Sequence, residues 1–508
     1  MTWGEGRRSI DHVVIVGGGT AGWMTAAGLI SMLGATGLKV TLIESEAIGI
    51  VGVGEATLPH IKHFNDTIGV NEAEFMAATS ATFKLGIEFV DWARKGDSYI
   101  HPFGEFGLAN EGVGFHHYWR KFHGHGEAGS LFDYSLPVIA CREGKFQPPS
   151  EDPRSVLSTY RYAYQFDALK YAPFMRKLAE TRGVKRLEGK VTKVSQDSES
   201  GDITAVTLDD GHEVTGDLFV DCTGFFGLLT EQTLATGYED WSEWLPCDRA
   251  VAVPCESAGP LLPYTRATAD SAGWRWRIPL QHRTGNGHVY SSGFTSDGAA
   301  HDSLVDNLEG AALSDPRILR FTTGKRRKLW NKNCVAIGLS GGFLEPLEST
   351  SIYLIQEGIT KLLELFPAHD GCDTERREYN RRMDLEFERI RDFLVLHYHA
   401  TERDDSAFWD HMRTMTPPDS LRDKMDLFAA HGRVATYDHG LFLVPSWIAV
   451  LIGQRRIPAK YDPRVDLVEE AHMRQHLGGL RQHMQRAVSG MSEHNVYIAQ
   501  HGMQGQVV

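Results

Sequence analysis

Cysteine is scarce in this chain: six residues among 508. Cys141, Cys222, Cys247, Cys255, Cys334 and Cys372 include no Cys-x-x-Cys pair. That spacing excludes a zinc ribbon or a dithiol redox motif and fits a reducing compartment. Basic charge is also short, 52 Lys and Arg against 66 Asp and Glu, for a formal net charge of -14. A non-specific nucleic-acid binder carries a basic surplus, so that class is set aside. The one dense basic run, Gly324 to Trp330 (GKRRKLW), reads as a solvated strand end ahead of an apolar segment. No run approaches the ~18 apolar residues that suggest a membrane helix. No apolar leader precedes His12, so neither a signal peptide nor a membrane partner is expected. The expected location is the cytoplasm. Internal repeats and low-complexity tracts are missing as well.

What is present begins with a βαβ start. HVVIV (His12 to Val16) is a β-branched run, GGGTAGWMTAAG a turn opening a helix, and KVTLIES (Lys39 to Ser45) a second strand. A helix is expected from about Pro59, and another after the capping box Asn71-Glu72-Ala73-Glu74. FKLGIEFVDW alternates, with Phe83, Leu85, Ile87 and Phe89 on one face and Lys84, Gly86 and Glu88 on the other. It reads as one strand. A helix around FDALKYAPFMRKLAETRG precedes the strands KRLEGKVTKVSQ and GDITAVTLDDGHEV. GDLFVDCTGFFG reads as a buried parallel strand, and NCVAIGLSGG through LLELF as strand, loop and helix. Beyond about residue 360, Tyr379, Met383, Phe387, Ile390 and Leu394 repeat at helical spacing. The last ~15 residues are polar and expected to fray. The division expected is 1–360, a nucleotide-binding module with an interleaved sheet, and 361–508, a mainly helical substrate subdomain.

Gly17-Gly18-Gly19-Thr20-Ala21-Gly22 is a G-x-G-x-x-G between a strand and a helix. Gly17 permits the tight turn, Gly19 close approach to a pyrophosphate, and Gly22 close packing of helix on strand. The helix start at Thr20 and Ala21 offers unpaired N–H groups to phosphates. Glu44, at the end of the second strand, is placed to accept from ribose hydroxyls and disfavours a 2′-phosphate. The strand-turn segments VDCTGFFG and VAIGLSGG, with a second sheet inserted between the halves, favour FAD. No second G-x-G-x-x-G is present to hold NADPH. The fold expected is therefore α/β, an FAD-binding, doubly wound, glutathione-reductase-like fold with an inserted sheet and a C-terminal helical substrate subdomain.

Several segments then coincide in order: the glycine motif, GVGEATLP (Gly52 to Pro59), FKLGIEF, GWRWRIP and LEPLEST. Together, from about residue 10 to 460, they resemble the flavin-dependent tryptophan halogenases. The resemblance implies that reduced FAD, oxygen and halide yield a flavin hydroperoxide and then hypohalous acid, which crosses a tunnel to an electron-rich aromatic. It implies Lys84 as the residue that captures or hydrogen-bonds the hypohalous acid, and Glu348 as the assisting carboxylate. An uncharged Lys84 would be a nucleophile, an ammonium a hydrogen-bond donor, and the sequence leaves both open. Glu348 would stabilise the cationic ring and take its proton. Thr350 and Ser351 fall at the halide position, where the family has Thr-Gly. The Ser side chain leaves chloride against bromide open. Ile352, Leu339 and Val191 match apolar positions along the flavin.

On the substrate side, His101 and Phe103 match the pair that sandwiches an indole. Phe442 or Trp447, in FLVPSWIAVLIGQ, supplies the opposite wall. Trp274 and Trp276 of WRWRIP are two of eleven tryptophans. By resemblance they form a steric barrier between substrate and flavin. The segment HGRVATYDHGLFLVPSW has Tyr437 but lacks the Tyr-Tyr pair and glutamate that hold an amino-acid group. A more open site for indole or other small aromatics is expected, with free tryptophan a poor substrate. Partners expected are a small aromatic substrate, a separate flavin reductase and a second copy in a homodimer. The competing functions are a flavin-dependent aromatic monooxygenase and a non-catalytic flavin-binding redox protein.

Overall fold

The β-branched run His12–Val16 is wholly enclosed from Val13 onward and forms the middle of a sheet. The computed structural model describes residues 9–46, 54–109, 112–435 and 440–505. Among these, the sheet has six strands in the order Trp330–Asn331, Cys334–Ala336, Leu218–Asp221, His12–Val16, Lys39–Glu44, Lys185–Glu188. All neighbours are parallel except the first pair. Such a sheet is buried on both faces, which is why these strands read as continuous apolar runs without alternation. Helix Thr20–Leu33 packs between helices Ala168–Thr181 and Thr350–Glu364. A small antiparallel sheet, Val191–Gln196, Ile203–Leu208 and Glu213–Thr215, is carried on a separate excursion of the chain.

A second large sheet has seven strands among the described residues: Arg317–Arg320, Arg249–Cys255, Thr284–Tyr290, Gly273–Pro279, Tyr264–Asp270, Gly86–Val90 and Ser98–Pro102. Here Trp276 stands opposite Gly287 on the neighbouring strand. A Cβ on Gly287 would lie 2.1 Å from the Trp276 ring, so the bare glycine is what lets the indole lie across the sheet. The architecture is a mixed α/β fold built on several sheets.

Three expectations change. FKLGIEFVDW is two strands, Thr82–Lys84 and Gly86–Val90, split at Leu85. The first joins Gly54–Ala56 and Ala163–Asp167 in a third sheet; the second enters the seven-stranded one. Leu85 turns the chain because its N–H donates to Pro263 O and its carbonyl accepts from Phe103 N, both outside its own strand. Lys84, on the face opposite the phenylalanines by alternation, is completely buried. The basic run is not solvated at its start. Lys325 and Arg326 are buried and paired, Lys325 with Asp384 (2.8 Å) and Arg326 with Glu231 (2.6 Å). The chain end is docked: helix His494–Gln500 places buried His494 so that its Nε2 accepts from Phe83 N at 3.0 Å. Composition marked that end as polar, but one buried histidine and one backbone donor suffice to anchor it.

The N-cap half of the box forms as expected, Asn71 accepting from Glu74 N at 3.0 Å before helix Glu72–Thr79. All six cysteines are buried and free. The helical region includes Asp373–His399, whose stripe Tyr379, Met383, Phe387, Ile390 and Leu394 is buried. One continuous apolar core runs from Val13 to Met503 and so takes in both stretches of the expected division. No helix among the described residues is long and apolar enough to cross a membrane.

Candidate active site

The glycine turn is built as a cradle. Gly17 has φ +113°, and a Cβ there would meet Cys222 O at 2.3 Å. A Cβ on Gly22 would meet Gly17 O at 1.8 Å, while one on Gly19 would meet nothing within 4 Å. The first two glycines are thus required by the turn, and the third opens onto free space. Gly19 caps helix Thr20–Leu33 without a side-chain bond, so the N–H groups of Thr20 and Ala21 have no capping side chain. Glu44 lies beside Gly18, its Oε1 2.5 Å from Arg186 Nε and its Oε2 accepting from Trp23 Nε1 at 3.1 Å. Gly338, at φ +80°, approaches Ala21 so closely that a Cβ would fall 2.7 Å from it. That contact brings Leu339 to the same rim. Ile352 is buried in the first turn of helix Thr350–Glu364. Val191 is partly buried against the cluster that holds Val16 and Ile43. These residues fit a dinucleotide: an open cradle, free helix N–H groups and an apolar border.

A second, wholly buried chamber lies where strand Thr82–Lys84 meets the turn before helix Thr350–Glu364. Ser349 adopts φ 59°, which ends the short helical turn Pro346–Glu348 and starts the long helix. Lys84 Nζ donates to Thr57 O at 3.1 Å and to Ser349 Oγ at 2.9 Å. It also stands 5.3 Å over the Phe103 ring. Burial pushes the Lys84 amine down to about 7, with Glu348 pulling the other way. Glu348 is 0% exposed. Its burial opposes the charge, but His101 and His397 outweigh that and hold the carboxyl down to about 2. His101 Nδ1 forks across the carboxylate at 2.9 and 3.0 Å. His397 Nε2 makes an ion-pair contact with Oε1 at 2.9 Å, skewed from its N–H direction. Thr350 is fully buried, and its Oγ1 has no partner among the described residues. Ser351 is half-buried beside it.

Trp274 and Trp276 are 1% and 7% exposed, with ring centroids 6.2 Å apart. Trp274 continues the aromatic wall to Trp92 at 6.4 Å. A cavity of about 590 Å³ is bordered by Phe106, Leu108, Phe115, Phe442 and Ile448. Its size suits a small-molecule site. Phe442 joins cavity and chamber: it stacks on Phe393 at 3.9 Å and lies 6.2 Å from His101. Of the two residues expected at the wall, Phe442 borders this cavity. Trp447 does not border this cavity; its Nε1 donates to Phe442 O at 3.2 Å, so it braces the wall from behind. His101 and Phe103 are 6.4 Å apart and edge-on, with His101 tethered to Glu348. Tyr437 lies outside the described residues, as do Gly52 and Val53 of GVGEATLP.

Two members of this site were not foreseen. Ser349 was visible only as a neighbour of Glu348. His397 gave no signal, because a histidine in the buried stripe Ile390, Phe393, Leu394, His397 has the spacing of any core residue. Its significance depends on Glu348, which the chain supplies from another helix.

The class these features define is a flavin-dependent halogenase. The sequence matches the tryptophan halogenase family over residues 12–470. Tryptophan 6-halogenase SttH of Streptomyces toxytricini is 36% identical, over 97% of this chain and 99% of that protein. Xcc4156, a flavin-dependent halogenase from Xanthomonas campestris, superposes with a TM-score of 0.95 at 48% identity, covering 99% of this chain and 100% of its own. BrvH, a flavin-dependent halogenase from Brevundimonas sp. BAL3, gives 0.94 at 45% identity over 97% and 99%. The chain belongs to the tryptophan halogenase family.

Proposed function

We propose that this halogenase takes FADH2 from a separate reductase and halogenates indole or another small electron-rich aromatic, with free tryptophan a poor substrate. In this reading the glutathione-reductase-like sheet holds FAD at Gly17, Gly19 and Gly22, with Glu44 toward the ribose. Val191, Leu339 and Ile352 border the cofactor. Reduced FAD bound there supplies, with oxygen and halide, hypohalous acid. The N–H groups of Thr350 and Ser351 hold the halide at the positive end of helix Thr350–Glu364. Trp274 and Trp276 let only a small species pass. Lys84 receives the hypohalous acid. Its amine forms an N–halogen bond, and the hydroxide leaves with the amine proton as water. Halogen then moves to the ring between Phe103 and Phe442 as the N–halogen bond breaks with its electron pair staying on the Lys84 nitrogen. Glu348 accepts the displaced ring proton and passes it to that nitrogen, which restores the uncharged amine.

The observation that carries this is the meeting of Lys84 with the Glu348–Ser349 turn, far apart in sequence, with Lys84 and Glu348 both fully buried. The test is mass spectrometry of indole incubated with the protein, FAD, a flavin reductase with NADH, and bromide. Halogenated indole is expected. Oxygenated product that forms without halide favours the monooxygenase; bound FAD without any product favours the redox protein. A strong preference for tryptophan over indole overturns the open-site reading.

A further inference from the structure

His397 resolves which groups in the chamber are charged. Its Nδ1 lies 2.7 Å from Phe393 O. A carbonyl only accepts, so Nδ1 carries a hydrogen. Nε2 faces Glu348 Oε1 at 2.9 Å. That contact is skewed from the N–H direction, but a neutral ring nitrogen and a carboxylate oxygen repel at that distance while an imidazolium is attracted to it, so the ring carries the second proton. His101 Nδ1 reaches both Glu348 oxygens at 2.9 and 3.0 Å, which asks both to accept. An ionised carboxylate meets that demand, and the proton then belongs to His397. His397 is itself held: its carbonyl accepts from Gln454 Nε2 at 2.9 Å, and its ring lies against Phe89 and Phe393.

We propose that His397 is the positioning residue that carries the positive charge balancing Glu348, leaving Lys84 as the uncharged amine. This rests on the proposed function for its consequence and on chamber geometry for its content. Thr57 O and Ser349 Oγ give Lys84 two acceptors, the number an uncharged amine uses while keeping its lone pair. The other ionisable groups facing the pair are His101 and Tyr99. Burial and Glu348 both keep Tyr99 protonated. Removing His397 would leave His101 and Lys84 to share the counter-charge of Glu348. Lys84 would then bind a proton more tightly and lose nucleophilicity at neutral pH.

The experiment uses the full chain with FAD bound. In ¹⁵N-histidine spectra, assigned through ring-to-Cβ correlations, both His397 ring nitrogens should be protonated at pH 8. One unprotonated ring nitrogen there overturns the proposal without any variant. In ¹³Cε-lysine spectra Lys84, assigned by its loss in Lys84→Met, should titrate near neutrality. In His397→Gln it should titrate about one unit or more higher. An unmoved titration overturns the proposal, because a merely structural role lowers thermal stability without shifting Lys84. With indole and bromide, the acid limb of the kcat profile should move up with Lys84, and kcat at pH 7 should fall about fivefold or more. Neither NMR measurement needs turnover. An inactive wild type with the expected titrations therefore sinks the halogenase reading and leaves the charge assignment standing.

Discussion

The flavin-side cradle and the Lys84 chamber are built in opposite ways. The cradle is backbone. Its glycines are adjacent in sequence, and a Cβ at Gly17 or Gly22 would strike main-chain oxygen. The chamber is side chain. Lys84, His101, Glu348 and His397 come from two different sheets and two helical segments, and each is nearly or fully buried. A backbone site is made by local conformation and stays in place when distant side chains change. A side-chain chamber depends on remote contacts and on how much charge each group sheds when buried. The two should therefore fail separately.

Lys84→Met gives the largest expected separation. Halogenation should fall by at least ~10³-fold, the scale on which removing an essential nucleophile acts. FAD affinity should stay within about twofold of wild type by fluorescence titration; a large loss of FAD would join the two regions and break the comparison. The same variant should be more stable near neutral pH. Burial lowers the Lys84 amine from 10.5 to about 7. Between those values the unfolded chain binds the extra proton, so wild-type stability rises with pH across that window. Met removes this dependence, and the gain at pH 7 should be on the order of a few kcal/mol by denaturant unfolding. Equal stability of the two proteins from pH 7 to 10 would show that Lys84 stays charged in the fold.

Gly17→Ala is the converse. A side chain at φ +113° and 2.3 Å from Cys222 O forces the turn to move. FAD affinity should drop by roughly 10²-fold, a cost of about 3 kcal/mol. Adding free FADH2 in excess should restore much of the turnover, since the chamber is intact. Failure of excess cofactor to restore it would mean that the turn also shapes the chamber.

The same difference explains how much the sequence revealed. Gly17, Gly19, Gly22 and Glu44 were legible because strand, turn, helix and acid follow one another within one βαβ unit. The βαβ start, the Asn71 cap and the helical C-terminal third were legible for similar reasons of local periodicity. Lys84 looked solvated by alternation, and only its motif marked it. Its burial comes from the split at Leu85, which needs Pro263 and Phe103 as backbone partners. His397 was silent because burial and partner both come from elsewhere. Phe442 and Trp447 were both offered by the resemblance of one segment, and nothing in its residue pattern signals that Trp447 Nε1 donates to Phe442 O.

Between cradle and chamber stand the tryptophans. Trp276→Ala removes a ring that lies across Gly287 and should cost about 3–5 kcal/mol as a buried aromatic. If the wall acts as a filter, oxygenated indole should appear beside the halogenated product in mass spectra. Lost stability with unchanged product ratios would make the pair core residues only.

Ser351→Gly is the smallest change and falls at the boundary itself. Thr350 and Ser351 open a helix whose cap, Ser349, makes no side-chain bond to it, so the first N–H groups point at whatever anion sits there. The helix end favours any halide, and this part of the interaction does not depend on the side chain at position 351. The serine adds bulk and a hydroxyl donor beside a half-buried position. Glycine removes both and leaves the backbone donor. Chloride, smaller and more strongly hydrated, should lose most when that hydroxyl goes. The bromide-to-chloride ratio of kcat/KM should therefore rise by about two- to fivefold, within the ~1 kcal/mol of one hydrogen bond to an ion. An unchanged ratio would place halide choice in the backbone and helix end alone, and would assign the site to the cradle's kind of construction.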